Sequence, residues 1–204
     1  MLKSLLPLFP QNRFPEVLLS EYQSPLLSND EVHKVLADIR KYNFEHYLIL
    51  RLLIVTGLQL PELLQLKKVD IHWNEQSISL GNRKRLKERK VFVEKTLCRE
   101  LFLQAQQFID TDLLFPGRKG PREVRSIQKV LSKASQFLRK PLHIPLLRDS
   151  LALYFYAKGH SVEEIQRLLG HRSIKSTKTR LQLYENLLGN ALNVNFRGPQ
   201  RKAA

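Results

Sequence analysis

One apolar segment, from about Phe44 to Val55, limits what this 204-residue chain can fold into more than any other part of it. Its sequence, FEHYLILRLLIV, is apolar around almost the whole circumference of a helix. A helix of this kind is buried on every side, whereas an amphipathic helix shows one polar face to water. We therefore predict that this helix lies at the centre of the core.

Amphipathic patterns predict further helices on both sides of this segment. Ser28 and Glu31 form a capping box that starts a helix at about 29–41, and Pro61 begins a short helix that ends at about Leu66. A second capping box, Ser161 with Glu164, starts one of the later helices. The remaining helices are predicted at about 95–109, 122–139, 147–158, 161–169 and 175–188.

The helix at about 95–109 also predicts which side chains face the core. Leu97, Leu101, Leu103 and Phe108 are expected to point inward. The single cysteine, Cys98, is expected to be a buried small hydrophobe. One cysteine cannot form a disulfide scaffold, and this favours a reducing, cytoplasmic location.

Residues 69–93 change from a helical to an alternating pattern. Ile71, Trp73, Ile78 and Leu80 indicate two short strands, and the basic sequence GNRKRLKERKVFV is predicted to complete a small sheet as a hairpin. The predicted fold class is therefore mostly α with a small antiparallel β-sheet (α+β).

The net charge of +15 lies entirely within residues 61–204, which carry 28 basic and 13 acidic side chains. Residues 1–60 carry six of each and sum to zero. An excess of this size in one block favours nucleic acid as a partner. A membrane surface is less favoured, because no basic amphipathic helix with exposed aromatic residues stands out. We expect no cofactor and no metal ion.

Several motifs in order resemble the catalytic domain of the tyrosine recombinases, or phage integrases. TGLQLPELLQLKKVDI at 56–71 is similar to the family stretch TGLR-x-x-E-L-x-x-L-x-x-x-D-I, and LLFPGRKGP at 113–121 is similar to its LF-P-x-x-x-G turn. The run YFYAKGHSVEEIQRLLGH at 154–171 resembles the family pattern throughout. The resemblance covers about residues 25–188 and implies the tyrosine-recombinase catalytic-domain fold and a DNA substrate.

In that family, six residues surround one scissile DNA phosphate. Two arginines bind its non-bridging oxygens, a hairpin lysine protonates the leaving 5′-oxygen, two further residues orient the phosphate, and a tyrosine attacks it. The resemblance retains three of these residues as Lys84, Arg148 and His171. The other three positions are degenerate: the first arginine is replaced by Gln59, the histidine or lysine before the second arginine by Pro145, and the tyrosine by Arg180.

Two residues offer replacements, and the retained residues have structural interpretations. Tyr184 lies one helical turn past Arg180, about 6 Å further along the axis, and is the alternative nucleophile. His143 is the alternative to the histidine lost at Pro145. Arg148 is interpreted alternatively as an ion-pair partner of Asp149 or another acid, and His171 as a structural residue of its Gly-His turn.

The resemblance and the charge together predict a DNA-binding protein that no longer recombines, with a role as a repressor, an architectural factor or a modulator of recombination. An active, divergent recombinase that uses Tyr184 is the first alternative, and a partner of an active recombinase that does not itself bind DNA is the second. The predicted DNA contacts are Arg83, Lys84, Arg85, Lys87, Arg89, Lys90, Lys119, Arg122, Arg125, Lys129, Lys133, Arg148, His171, Arg172, Lys175, Lys178 and Arg180.

The predicted organisation has three parts. Residues 1–25 form an N-terminal extension, 26–188 the integrase-like domain and 189–204 a C-terminal tail. The tail is a candidate segment for homo- or hetero-oligomer formation, because family members pack this part of the chain on a neighbouring subunit. The segment LLGNALNVNF at 187–196, which leads into the tail, supplies Leu187, Leu188, Leu192 and Phe196 for that contact; the alternative is that it folds back on the core of its own domain.

Overall fold

A computed structural model describes residues 26–81, 88–108 and 112–192, with side chains through Leu183 in the last helix. The predicted N-terminal extension, most of the tail and the hairpin cations Arg83, Lys84, Arg85 and Lys87 lie outside the described residues. Eight helices run through the described part of the chain: α1 (Asn29–Tyr42), α2 (Phe44–Thr56), α3 (Leu60–Leu64), α4 (Lys95–Gln106), α5 (Val124–Leu138), α6 (Ile144–Ala157), α7 (Val162–Leu169) and α8 (Ile174–Leu192).

The buried centre of the fold is α2, as its sequence predicts. Leu48, Ile49, Leu50 and Leu52 are fully buried, and α1, α4, α5 and α6 pack around the helix. Asn43 caps its N-terminus, and Gly57, in the left-handed conformation, ends it. Both predicted capping boxes are present, at the starts of α1 and α7. Helix α8 continues through Leu192, past the predicted end at 188.

A three-stranded antiparallel sheet lies beside the helices, in the order β1 (Ile71–His72), β2 (Ser77–Leu80) and β3 (Arg89–Phe92). Its register pairs Ile78 with Val91, and both side chains are buried. The predicted α+β fold class is confirmed. A second, two-stranded sheet, β4 (Pro116–Gly117) with β5 (Gly120–Pro121), was not predicted, because strands of two residues carry no alternating pattern.

One predicted core residue is wrong. Leu103 is 53% exposed, whereas Leu97 and Leu101 are buried, as is Cys98. Two positions further along a helix is about 200° around it, so Leu103 cannot share a face with Leu101. The inward position is taken by Gln104, which is buried and donates to the Glu45 carboxylate at 3.4 Å.

The last part of the fold forms a second cluster of buried side chains. It joins α6, α7 and α8 through Leu151, Phe155, Ile165, Leu169 and Leu181. The tight Gly-His turn between α7 and α8 lies beside this cluster, and two of the family-matching residues, Arg148 and His171, meet there. Within the described ranges, no helix is both long and apolar enough to cross a bilayer.

Candidate active site

The site is built around Arg148, which lies one turn inside α6 and is only 6% exposed. Its guanidinium donates from Nη1 to the carbonyl oxygen of Gly57, and from Nη2 to the carbonyl oxygen of Leu169 at 3.1 Å. Nη2 also meets Nε2 of His171 at 3.0 Å. Arg148 therefore ties the end of α2 and the end of α7 to α6.

The protonation of His171 follows from its partners. A guanidinium only donates hydrogen bonds, so Nε2 of His171 accepts and carries no proton. Nδ1 then carries the proton and donates to Thr177 Oγ1 at 3.0 Å. Burial, followed by the positive charges of Arg148, Arg180 and Arg89, lowers the pKa of His171 to about 4. The imidazole is thus neutral at pH 7, and both of its nitrogens have protein partners.

These contacts limit what Arg148 offers to a phosphate. Both hydrogens of Nη2 are already used, so a two-pronged grip that includes Nη2 requires one of these bonds to break. Burial, followed by the nearby positive charge of Arg89, lowers the pKa of Arg148 to about 10, which leaves it charged at pH 7. In this arrangement Arg148 is a structural cation at the base of the site.

Arg89, one of the predicted DNA contacts, is a second buried cation. Its side chain is 5% exposed and pairs with Glu62, with Nη1 at 2.5 Å from Oε1 and Nη2 at 3.1 Å from Oε2. Nε donates to the carbonyl oxygen of Leu168 at 2.9 Å. Arg89 and Arg148 together therefore bind two of the last carbonyls of α7, where a helix favours positive charge.

The two degenerate positions beside Arg148 have structural roles. Gln59 immediately precedes α3, and its backbone N–H donates to Glu62 Oε2 at 2.8 Å. Pro145 lies in the first turn of α6, where proline is favoured. His143, the alternative to the histidine lost at Pro145, caps α6 by accepting at Nδ1 from the Leu146 N–H at 3.1 Å. None of these three residues supplies a positive charge in its described contacts.

At the position of the family's nucleophile, Arg180 forms an ion pair with Asp149. The distance from Arg180 Nη1 to Asp149 Oδ2 is 2.5 Å. The Asp149 side chain is 5% exposed, and that of Arg180 is 48% exposed. The pair therefore links the buried interior of α6 to the surface of α8. Tyr184 lies in α8, one turn further along.

The cations of α8 and its preceding turn do not form one surface. Arg172, Lys175, Lys178 and Arg180 are all exposed. The helical period, however, places Lys178 and Arg180 about 160° apart, on opposite edges of the buried face marked by Thr177 and Leu181. Lys178 and Arg180 therefore face different sides of α8, and Arg180 pairs with Asp149, which adjoins Arg148 in α6.

On α5, the predicted contacts divide by burial. Arg125 and Lys129 are exposed, as predicted for residues that meet a ligand. Arg122, two residues before α5, instead pairs with Glu45 at 2.5 Å, donates to the Pro116 carbonyl oxygen at 3.2 Å and is 13% exposed. Lys133 Nζ lies 4.9 Å from the centre of the Tyr42 ring and 5.2 Å from that of Phe137.

The remaining predicted cations are exposed. Lys119 lies in the turn between β4 and β5, and Lys90 pairs at the surface with Glu75. Sequence reasoning missed Glu62 and Thr177 as partners of the site. Glu62 stands in the motif TGLQLPELLQL, where its acidic character inside an apolar run was the available signal. Thr177 carried no such signal.

Comparison with known proteins finds integrases and recombinases of similar sequence and fold. The chain is 29% identical over 165 residues to a protein of Sinorhizobium fredii named putative integrase/recombinase y4qK. The matched region covers 79% of this chain and 53% of that protein. The chain spans about half to two thirds of the length of the curated relatives it matches.

Solved structures of the same fold include a XerA recombinase, with a TM-score of 0.71, 22% identity and coverage of 86% of this chain and 66% of that one. A second is the XerH site-specific recombinase bound to its difH substrate after cleavage, with a TM-score of 0.67, 23% identity and coverage of 83% and 52%. The sequence pattern of the phage integrase family matches residues 25–186. The chain therefore belongs to the phage integrase family, the tyrosine recombinases, and carries the catalytic-domain fold of that family.

Proposed function

We propose that this chain binds double-stranded DNA on the tyrosine-recombinase fold without cutting it, as a repressor, an architectural factor or a modulator of recombination. The observation that carries the proposal is the ion pair between Arg180 and Asp149 at the position of the nucleophile. A guanidinium cannot form the phosphotyrosyl bond of the family, and its pairing with a buried carboxylate holds it in place. The substitution is therefore built into the packing of α6 against α8.

The other losses at the site also oppose strand cleavage. Gln59 supplies no charge where the family has its first arginine, and Arg148 and His171 are engaged with protein partners. Removing one preorganised charged donor typically costs on the order of 3 kcal/mol in the transition state, or a hundredfold or more in rate. The combined losses favour a protein that holds DNA over one that cleaves it.

DNA binding is supported by charge and by similarity of fold. The whole net charge of +15 lies within residues 61–204. The exposed cations include Arg125 and Lys129 on α5, and Arg180 beside the site. The XerH recombinase, which shares the fold, was solved bound to its DNA substrate. We expect backbone phosphates to be the main contacts.

A gel-shift titration at several salt concentrations tests the proposal. Each phosphate neutralised by the protein steepens the plot of log affinity against log salt by about 0.9, so several contacts predict a steep slope. Absence of binding at low salt would contradict the proposal and favour an interaction partner that does not touch DNA. The C-terminal segment LLGNALNVNF at 187–196 is the candidate surface for such a partner.

An active, divergent recombinase is the second candidate. It is favoured by the relatives, several of which are named as recombinases, and by Tyr184, one turn beyond Arg180 in α8. A nicked suicide substrate distinguishes the two, because only a nucleophilic tyrosine leaves a covalent protein–DNA adduct. We expect no adduct. An adduct that Tyr184→Phe abolishes would establish the recombinase instead.

A further inference from the structure

The ion pair between Asp149 and Arg180 is unequal in burial. The Asp149 carboxylate is 5% exposed, whereas nearly half of the Arg180 side chain is open to solvent. A carboxylate withdrawn from water in this way requires a cation, because an isolated buried charge is costly. The arginine does not have the same need, since its exposed part is hydrated. The pair thus has a fixed inner half and an accessible outer half.

We infer that Asp149 is a positioning residue that orients Arg180 to bind a DNA phosphate at the edge of the Arg148 site. The inference rests on the proposed function, because it assumes that the chain binds DNA. Beyond the proposed function, it identifies the Arg180 guanidinium as the group that contacts DNA beside the degenerate site, and the Asp149 carboxylate as the group that holds it in place. The ligand chemistry is a phosphodiester oxygen, which accepts hydrogen bonds from a guanidinium.

The donors of Arg180 are sufficient for both partners. A guanidinium has five N–H groups in a rigid fork, and Asp149 takes its bond at Nη1. A phosphate can be held by the exposed remainder of the same fork. Fixing the planar group on one side reduces the conformational freedom that a phosphate contact would otherwise have to remove. Asp149 therefore contributes to binding without touching DNA.

The two arginines of the site differ in how far solvent can reach them. Arg148 is buried and bound to two backbone carbonyls and His171, whereas Arg180 is half exposed. Arg180 also lies close enough to lower the pKa of His171. The site is therefore positively charged, and of its two arginines Arg180, not Arg148, is accessible to solvent and hence to a phosphate.

The alternative is that the pair is a closed, neutral structural link with no ligand. A double substitution distinguishes the two, because Asp149→Asn with Arg180→Gln removes one charge of each sign and leaves the net charge unchanged. Any loss of DNA affinity in this variant then reports the lost contact, not a change in overall charge. The single Arg180→Gln is less informative, since it leaves the Asp149 carboxylate uncompensated beside DNA.

The experiment is a gel-shift titration of the full chain on duplex DNA at several salt concentrations, for wild type, for the double variant and for Arg167→Gln. Arg167 is an exposed arginine on the neighbouring α7 and controls for the loss of an arginine. We expect the double variant to bind about tenfold more weakly, as for one charge-assisted hydrogen bond, with a salt slope shallower by about 0.9. An unchanged affinity and slope would overturn the inference while leaving the proposed function intact. Absence of wild-type binding would overturn both.

Arg180→Lys provides a second measurement that does not depend on the folding of the double variant. Lysine keeps the positive charge and a bond to Asp149 but loses the planar fork. We expect the salt slope to be retained and the affinity to fall several-fold. An affinity equal to that of wild type would show that the fork oriented by Asp149 has no role in DNA binding, and would overturn the inference.

Discussion

Arg148 donates from Nη2 to Nε2 of His171 at 3.0 Å, and this bond sets the protonation state of the histidine. In a recombinase, the corresponding residues both face the scissile phosphate. Here the two bind each other, and Thr177 holds the opposite nitrogen of the imidazole. Arg148 and His171 therefore connect α6, the end of α7 and α8.

Acidification should weaken the fold through His171. Its folded pKa of about 4 lies below the ordinary value of 6.5, so the unfolded chain binds a proton more readily between these pH values. The stabilisation is fully present above about pH 6.5 and is lost as the pH falls towards 4, by about 1–2 kcal/mol once partial exposure is allowed for. Urea unfolding of wild type and His171→Gln across this range measures it. Parallel pH curves for the two proteins would contradict the prediction.

The buried pair of Glu62 and Arg89 should be sensitive to the loss of one partner. Glu62→Gln is expected to lower the free energy of unfolding by about 3–5 kcal/mol, because it leaves the Arg89 charge buried without its carboxylate. Replacing both residues by methionine should cost less than the single change. Glu75→Gln, which breaks the exposed pair with Lys90, is the control and should cost under about 1 kcal/mol. Equal losses for the buried and exposed pairs would refute this view.

Two glycines with similar backbones should differ in their tolerance of alanine. Gly159 and Gly170 have φ of 86° and 68°, but a Cβ at Gly159 meets nothing within 4 Å, whereas one at Gly170 lies 2.7 Å from Arg89 Nη1. Gly159→Ala should cost about 1 kcal/mol from the left-handed conformation alone. Gly170→Ala should cost about 3 kcal/mol or more, because it also disturbs the buried pair. Thermal unfolding compares the two, and similar costs would contradict the proposed role of Arg89.

Two cations, Arg122 just before α5 and Lys129 within it, should have separable effects. Arg122→Gln is expected to destabilise the fold, because Arg122 binds Glu45 and the Pro116 carbonyl oxygen. Lys129→Gln should leave stability within about 0.5 kcal/mol and reduce the salt slope of DNA binding by about 0.9. Urea unfolding and gel shift on the same two variants test this. The prediction fails if Lys129→Gln changes stability and leaves DNA binding unaltered.

Restoring the tyrosine alone should not restore a recombinase. Arg180→Tyr removes the partner of the buried Asp149 carboxylate and should lower the free energy of unfolding by about 1–3 kcal/mol. Adding Asp149→His removes the buried carboxylate that has lost its partner and should recover much of this loss. Because Gln59 and Pro145 remain, we expect no covalent adduct on a suicide substrate from either variant. An adduct from the single variant would show that the site is closer to activity than its contacts indicate.

Much of the architecture was predictable because it depends on local pattern. The apolar run of α2, the two capping boxes and the alternation of residues 69–93 each specify an element without reference to the rest of the chain. The prediction failed at Leu103, which lies on the opposite side of α4 from the buried Leu101. It also failed at the two-residue strands β4 and β5, which are too short to show an alternating pattern.

The sequence by itself determined the family, the order of the elements and the arginine at position 180, where the family pattern has its tyrosine, because motifs and helical periods depend on residues close together in the chain. Only the tertiary structure decided which cations are structural and which are accessible. Arg89 and Arg122 carry the same charge as Lys129 and Arg180, but folding buries their side chains against Glu62 and Glu45, whereas Lys129 and Arg180 stay exposed. The pairing of Asp149 with Arg180, 31 positions apart, likewise depends on α6 packing against α8. Burial and ion pairing are set by contacts between distant segments, and these contacts exist only in the folded chain.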